Sequence, residues 1–211
     1  ESIKTVILRN PQMRPGDVYA LNDPYHGGTH LPDVTVVTPV YLEHGDEAPS
    51  FHVASRGHHA DIGGSTPGSM PPFSTTIEEE GVLLDNFLLV RAGKLREPEL
   101  LALLRSGAYP ARNPAQNIAD LRAQVAANEK GVQELRAMVT QFGRETVAAY
   151  MRHVQDNAEE SVRRVITALK DGFFELPLDN GARIAVKVTV HAQQREATID
   201  FSGTSAQLNN N

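Results

Sequence analysis

Two short segments carry most of the residues able to do chemistry. Residues 22–33 read Asn-Asp-Pro-Tyr-His-Gly-Gly-Thr-His-Leu-Pro-Asp, and residues 56–64 read Arg-Gly-His-His-Ala-Asp-Ile-Gly-Gly. Together they hold four of the eight histidines, three aspartates and five glycines. His30 and Asp33 stand three apart, and His58 and Asp61 repeat the interval. Imidazole and carboxylate are ligands for borderline or hard divalent cations, and the glycines let the backbone turn sharply enough to gather them. A metal site built from two loops is the first expectation. Alone, His30 with Asp33 reads better as a polar loop held by local hydrogen bonds, because Asp favours turns; the second His/Asp pair tips the balance towards a metal site. The spacing matches neither a thiolate finger nor a His-Glu-x-x-His helix, so the metal is not fixed by pattern. Mixed nitrogen and oxygen donors suit Zn, Mn or Fe, and Mg less well.

Other polar residues are weaker candidates. His59 follows His58 directly and in extended chain points elsewhere, as a substrate contact or a plain loop residue. His26 could join the site, whereas His44, His52, His153 and His191 stand alone as surface or packing histidines. The run Asp61 to Thr66 could cradle an anion with backbone N–H groups, although short Gly-Ser-Thr runs are common in ordinary loops. Glu80, at the end of three successive glutamates, could serve as a general base; such a run is more often a solvated face or a helix start.

The elements around these loops must position them. Thr5 to Leu8 reads as a short β-rich run, stopped by Asn10-Pro11 and Pro15-Gly16-Asp17. Val18 to Leu21 reads as a buried strand that ends at Pro24, which cannot donate to a ladder. Val34 to Leu42 and Phe51 to Ser55 read as two further strands, separated by a polar turn at Glu43-His44-Gly45-Asp46. Both histidine loops therefore lie at ends of neighbouring strands, where side chains can converge. Gly63 to Ser74 has no periodicity, and a stretch of that kind is usually functional or mobile. Val82 to Val90 is apolar, and Pro98 to Leu104 reads as a short helix.

From Asn113, a good cap before Pro114, the period becomes helical. Ile118, Leu121, Val125, Val132, Leu135 and Val139 form one stripe, with Asn128 where a further apolar residue would fit. After Gly143, a second stripe runs Val147, Met151, Val154, Ala158, Val162, Val165, Leu169. Two such helices across so short a break predict an antiparallel hairpin with both stripes in the core. Ala182 to His191 and Arg195 to Phe201 read as strands joined at Ala192-Gln193-Gln194. The fold class expected is α+β: mixed or antiparallel sheet at both ends with a long helical hairpin between. The domains expected are 1–110, a β-rich metal-site region; 111–172, the hairpin; and 173–211, a β-hairpin region cut short.

Composition narrows the function. A chain of 211 residues that is 40% hydrophobic can bury a sizeable core. A net charge of −6, with no basic block, argues against nucleic acid and anionic membrane as partners. The longest apolar run is broken by Asp85 and Asn86, so nothing spans a bilayer. There is no cysteine, hence no disulfide, thiolate site or cysteine nucleophile, which fits a cytoplasmic protein. A chain that opens on Glu1 and trails off a strand signal reads as an internal piece of a longer polypeptide.

The residues also carry a resemblance. Asn22-Asp23-Pro24 with Gly27-Gly28-Thr29-His30-Leu31-Pro32-Asp33, then His58-His59-Ala60-Asp61-Ile62-Gly63-Gly64, resembles the hydantoinase B/oxoprolinase family. Glu80-Gly81, the stretch 112–127 and Asp200-Phe201-Ser202-Gly203-Thr204-Ser205 resemble it too, in the same order along nearly the whole chain. The resemblance implies a B-type part of an ATP-dependent enzyme, an oligomeric complex that hydrolyses cyclic amides, of the N-methylhydantoinase or 5-oxoprolinase kind. Its alternative is a carboxylase subunit of the acetone or acetophenone carboxylase type, acting on a ketone. It implies that a hydantoinase A-type subunit or domain uses ATP, consistent with the lack of a Gly-x-x-x-x-Gly-Lys-Ser/Thr loop here. It further implies Asp23, His30, Asp33 and His58 as metal ligands, with Asp61 close behind, and His59 and Glu80 as candidates for proton handling. The family's segments before and after are missing, so this piece alone is expected to be inactive. A rival reading makes the chain a non-catalytic assembly module that docks through its helices.

Overall fold

The computed structural model describes residues 1–43 and 45–209; His44, within the expected polar turn, lies outside the described residues. The chain divides into two compact units, Glu1–Ala137 and Met138–Leu208. The α+β class is as expected, with antiparallel sheets and a long helical segment between the strand groups.

The first unit is built on five antiparallel strands. Helix α1 spans Ser2–Arg9, β1 Val18–Leu21, β2 Asp33–Val40 and β3 Phe51–His58. A one-turn helix α2 (Ile77–Glu80), β4 (Phe87–Arg91), β5 (Lys94–Leu95) and α3 (Glu97–Leu104) follow, before the long helix α4 (Pro114–Phe142). The spatial order is β3-β2-β1-β4-β5. Alternation splits the side chains between two faces. Val18, Ala20, Val34, Val36 and Leu89 face one way and pack with Ile62, Leu84, Leu100, Leu104, Ile118 and Leu121. Tyr19, Leu21 and Val37 face the other way and pack with Val6 and Met13. β2 is covered on both faces, which is why it reads as an almost unbroken apolar run.

Residues 5–8 are helical, not the strand that their β-branched composition suggested. Val6 is fully buried and Ile3 packs beside it, while Leu8 is exposed, the three-residue interval of a helix face rather than the alternation of a strand. α4 begins as expected, with Asn113 Oδ1 accepting from the Gln116 N–H at 3.3 Å. Asn128, the polar interruption in its stripe, donates to Val36 O (3.0 Å) and Thr38 Oγ1 (3.1 Å) and so pins α4 across the sheet. Gly131 makes that approach possible: a Cβ there would lie 2.9 Å from Val53 Cγ1.

The second unit holds the end of α4, helix α5 (Arg144–Ala168) and the sheet β6 (Gly172–Pro177), β7 (Arg183–His191), β8 (Glu196–Asp200). The β7–β8 hairpin is as expected. β6 was not anticipated; it pairs antiparallel along β7 from Gly172↔Val188 to Pro177↔Arg183. The stripe on α5 is where expected but is largely not core: Val147 is buried, whereas Val154 is 68% and Val165 60% exposed. The Asp200 to Ser205 motif is a fastener. Thr204 Oγ1 accepts from Ala185 N and donates to Ala185 O, both at 3.1 Å, and Ser205 Oγ accepts from Arg183 N at 3.0 Å.

Candidate functional site

Strand register does most of the positioning. Asp33 opens β2 and His58 closes β3, and the two are direct cross-strand partners. The loop before β2 is stapled by Asn22, which donates to Leu31 O (2.8 Å) and Val82 O (3.0 Å) and accepts from Leu84 N (2.7 Å). A turn closed by Asp33 N and His30 O (3.1 Å) swings His30 back over the strand end. Both imidazoles then meet one carboxylate oxygen: His58 Nδ1 is 2.9 Å and His30 Nε2 3.1 Å from Asp33 Oδ1. The two rings lie 5.3 Å apart between centroids.

Electrostatics follows from this geometry. Burial alone would raise the Asp33 carboxyl, but hydrogen bonds from His58 and His30, and their charge, hold it below its ordinary range. One donor atom from each of His30, Asp33 and His58 lies within 4.8 Å of the others. All three are partly open to solvent, so a substrate can reach them. Two nitrogens and one carboxylate oxygen within that reach fit a divalent cation such as Zn, Mn or Fe, and fit Mg less well.

The other expected ligands stand elsewhere. Asp23 belongs to a second group with His26 and Asp85, with its Oδ2 2.5 Å from His26 Nδ1. There Asp85 is already paired with both terminal nitrogens of Arg9. Asp61 is taken by Arg112 Nη1 at 2.7 Å and by the backbone N–H groups of Arg112, Gly63 and Gly68. Those donors outweigh the effect of burial and lower its pKa. Neither carboxylate is grouped with His30 and His58. The expected anion cradle is also spent, because Ile62 N binds Ser69 Oγ, Gly64 N binds Tyr109 O and Ser65 N binds Glu79 O.

His59 points to the opposite face from His58, as alternation requires, and is 1% exposed. Its Nδ1 accepts from Asn117 Nδ2 at 3.0 Å and its Nε2–H donates to Gln124 Oε1 at 3.3 Å, both on α4. Burial lowers its pKa and keeps it neutral. It is a core histidine that fixes the end of β3 rather than a group facing substrate. Glu80 lies in α2, where the capping box uses Thr76 and Glu79; Glu80 Oε1 accepts from Ser74 Oγ at 3.4 Å. The glutamate run is therefore a helix start.

Reasoning from sequence passed over Asn22, Arg112, Asn117 and Gln124, which hold the loops in place. A signal existed on α4: Asn117, Gln124 and Asn128 fall among Leu121 and Val132 on the apolar stripe, and polar residues on a buried face need partners.

The hydantoinase B/oxoprolinase family model matches residues 1–211. The chain is 42% identical over 205 residues to a 5-oxoprolinase of Dictyostelium discoideum, covering 93% of this chain and 16% of that protein. It is 40% identical over 223 residues to 5-oxoprolinase 1 of Arabidopsis thaliana, covering 93% of this chain and 17% of that protein. The ATP-dependent caprolactamase of Pseudomonas jessenii superposes with a TM-score of 0.74 at 26% identity, over 94% of this chain and 34% of that one. Acetone carboxylase in its nucleotide-free form shares the fold, with a TM-score of 0.77 at 18% identity over 96% of this chain and 28% of that one. The chain thus spans well under half the length of these proteins, and it belongs to the hydantoinase B/oxoprolinase family.

Proposed function

We propose that this chain is the metal-site portion of a B-type component in an ATP-dependent enzyme that hydrolyses cyclic amide bonds. The observation that carries the proposal is the convergence of His30, Asp33 and His58 at one strand end, with the ligating side open. The 5-oxoprolinases at 42% and 40% identity and the ATP-dependent caprolactamase support the reaction class. ATP use is assigned to a hydantoinase A-type partner subunit or domain, which activates the ring amide by phosphorylation. When bound, a divalent cation supplies a Lewis acid for an oxygen of the activated substrate. Asp33 orients both imidazoles through one oxygen, and Thr29 steadies its other oxygen at 3.3 Å. His59, held by α4, fixes the backbone that carries His58.

The test uses the complete assembly with its ATP-using partner. His58→Ala should lower both metal content and ATP-dependent amide hydrolysis, by at least the roughly 10–100-fold typical of weaker perturbations around a metal. Unchanged metal content together with unchanged turnover would refute the assignment.

A further inference from the structure

Opening an amide ring leaves a nitrogen that needs a proton. The two residues expected to handle protons are committed elsewhere, His59 to the core and Glu80 to the start of α2. His30, Asp33 and His58 are turned toward one another. A further imidazole stands on the same loop. His26 lies four residues before His30, which keeps their Cα atoms within about 14 Å. Behind it is Asp23, whose side chain is 7% exposed. A carboxylate that deep needs partners, and it has them: Oδ1 accepts from Tyr25 N (2.8 Å) and Oδ2 from His26 Nδ1 (2.5 Å).

Because a carboxylate only accepts, Asp23 fixes the ring with Nδ1–H inward and leaves Nε2 as the position that exchanges protons. The His26 side chain is 57% exposed, and Nε2 has no hydrogen-bond partner among the described residues. It borders a cleft of about 460 Å³, within the size range of small-molecule sites, which Glu1, Arg9, Tyr25 and Gly28 also line. Asp85 is the other carboxylate near His26, but it is paired with Arg9, so Asp23 is the one that serves the ring. The backbone holds the arrangement. His26 N and Gly28 N both donate to Asp23 O, at 3.1 and 2.6 Å, and a Cβ at Gly28 would lie 2.4 Å from Asn22 O.

We propose that His26, oriented by Asp23, is the catalytic residue that carries a proton to the ring nitrogen. The inference rests on the reading of the site given above and adds a residue and a role to it. Nε2 takes a proton from a water whose oxygen bonds to the amide carbon. The C–N bond then breaks, its electron pair stays on nitrogen, and Nε2–H gives that nitrogen the proton. A carboxylate behind an imidazole holds its tautomer and stabilises the cation formed between the two transfers.

The test measures ATP-dependent hydrolysis by the complete assembly, with 5-oxoproline as the probe amide and with metal content and melting temperature alongside. His26→Asn keeps an N–H for Asp23 but carries no proton, and should lower turnover about 100-fold or more while the metal is kept. His26→Ala should be as slow and should recover, saturably, with added imidazole; His26→Asn, whose side chain fills the place, should not. Diethyl pyrocarbonate reads the pair without turnover: carbethoxylation of His26, followed by mass spectrometry, should be several-fold slower in Asp23→Asn than in wild type. Wild-type turnover in either His26 variant would overturn the inference and leave a measured metal site intact. So would loss of the metal together with turnover, or a slow His26→Ala that imidazole does not restore. Equal carbethoxylation rates would overturn the orienting role of Asp23. Rescue by imidazole in an assembly that holds no metal would uphold the inference and refute the metal assignment instead.

Discussion

Asp33 and Asp61 each stand three residues after a histidine, each next to a strand end, and they have opposite fates. Asp33 meets two imidazoles and a hydroxyl on an open face. Asp61 meets one guanidinium and three backbone N–H groups in a closed loop. The difference lies in what the fold brings from a distance. β3 delivers His58 to Asp33 from 25 residues away, and the segment before α4 delivers Arg112 to Asp61 from 51 residues away. The same interval in sequence thus yields an open cluster of two imidazoles and a carboxylate in one place and a structural clasp in the other.

This comparison can be broken by exchanging effects. The largest expected effect is functional: Asp33→Asn in the complete assembly should reduce metal content and ATP-dependent turnover by at least about tenfold, with little change in melting temperature. Asp61→Asn should do the reverse. It should keep the metal while losing roughly 1–3 kcal/mol of stability, because Arg112 and the loop N–H groups lose a charged acceptor. Denaturant titration of both variants, with elemental analysis, separates the two outcomes. If Asp61→Asn lost its metal without losing stability, the clasp reading would be wrong.

A smaller effect is on acid stability. Asp61 has a folded-state pKa lowered below the ordinary 3.8, so the folded state binds its proton less readily than the unfolded one. Its contribution is therefore fully present above the ordinary carboxylate range and is lost as pH falls through the depressed folded-state value. Unfolding free energy measured downward from about pH 5 should fall more steeply in wild type than in Asp61→Asn. Parallel curves would exclude the ion pair as a source of stability. Smallest is a packing effect: Gly131→Ala puts a methyl 2.9 Å from Val53 Cγ1, and because the clash is partly offset by the better helix propensity of Ala, it should destabilise the first unit by only about 1 kcal/mol, seen as a lower denaturation midpoint.

Legibility in the sequence followed how local each cause was. The strands around the site could be read because β-branched runs end at Pro24 and at glycine-rich loops, and this placed His30, Asp33 and His58 at strand ends. α1 could not be read, because Thr5 to Leu8 has strand-like composition and only burial of Val6 and Ile3 on one side reveals the helix. The α5 stripe was read as core from its periodicity, but periodicity records a face and not what lies against it. β6 was hidden because it is short and its adjacent Phe173 and Phe174 break the alternation, and both are exposed. In the candidate site, His30, Asp33 and His58 were visible as residue types, whereas the surroundings of Asp23 and Asp61 depended on Asp85, Arg9 and Arg112, which no spacing rule connects to them.

The most direct measurement is anomalous diffraction at the edges of Zn, Mn and Fe from crystals of the complete assembly. The account predicts a peak about 2.0–2.2 Å from His30 Nε2, His58 Nδ1 and an oxygen of Asp33. A peak at the Asp23, His26 and Asp85 group or at Asp61, with none at His30, would contradict it.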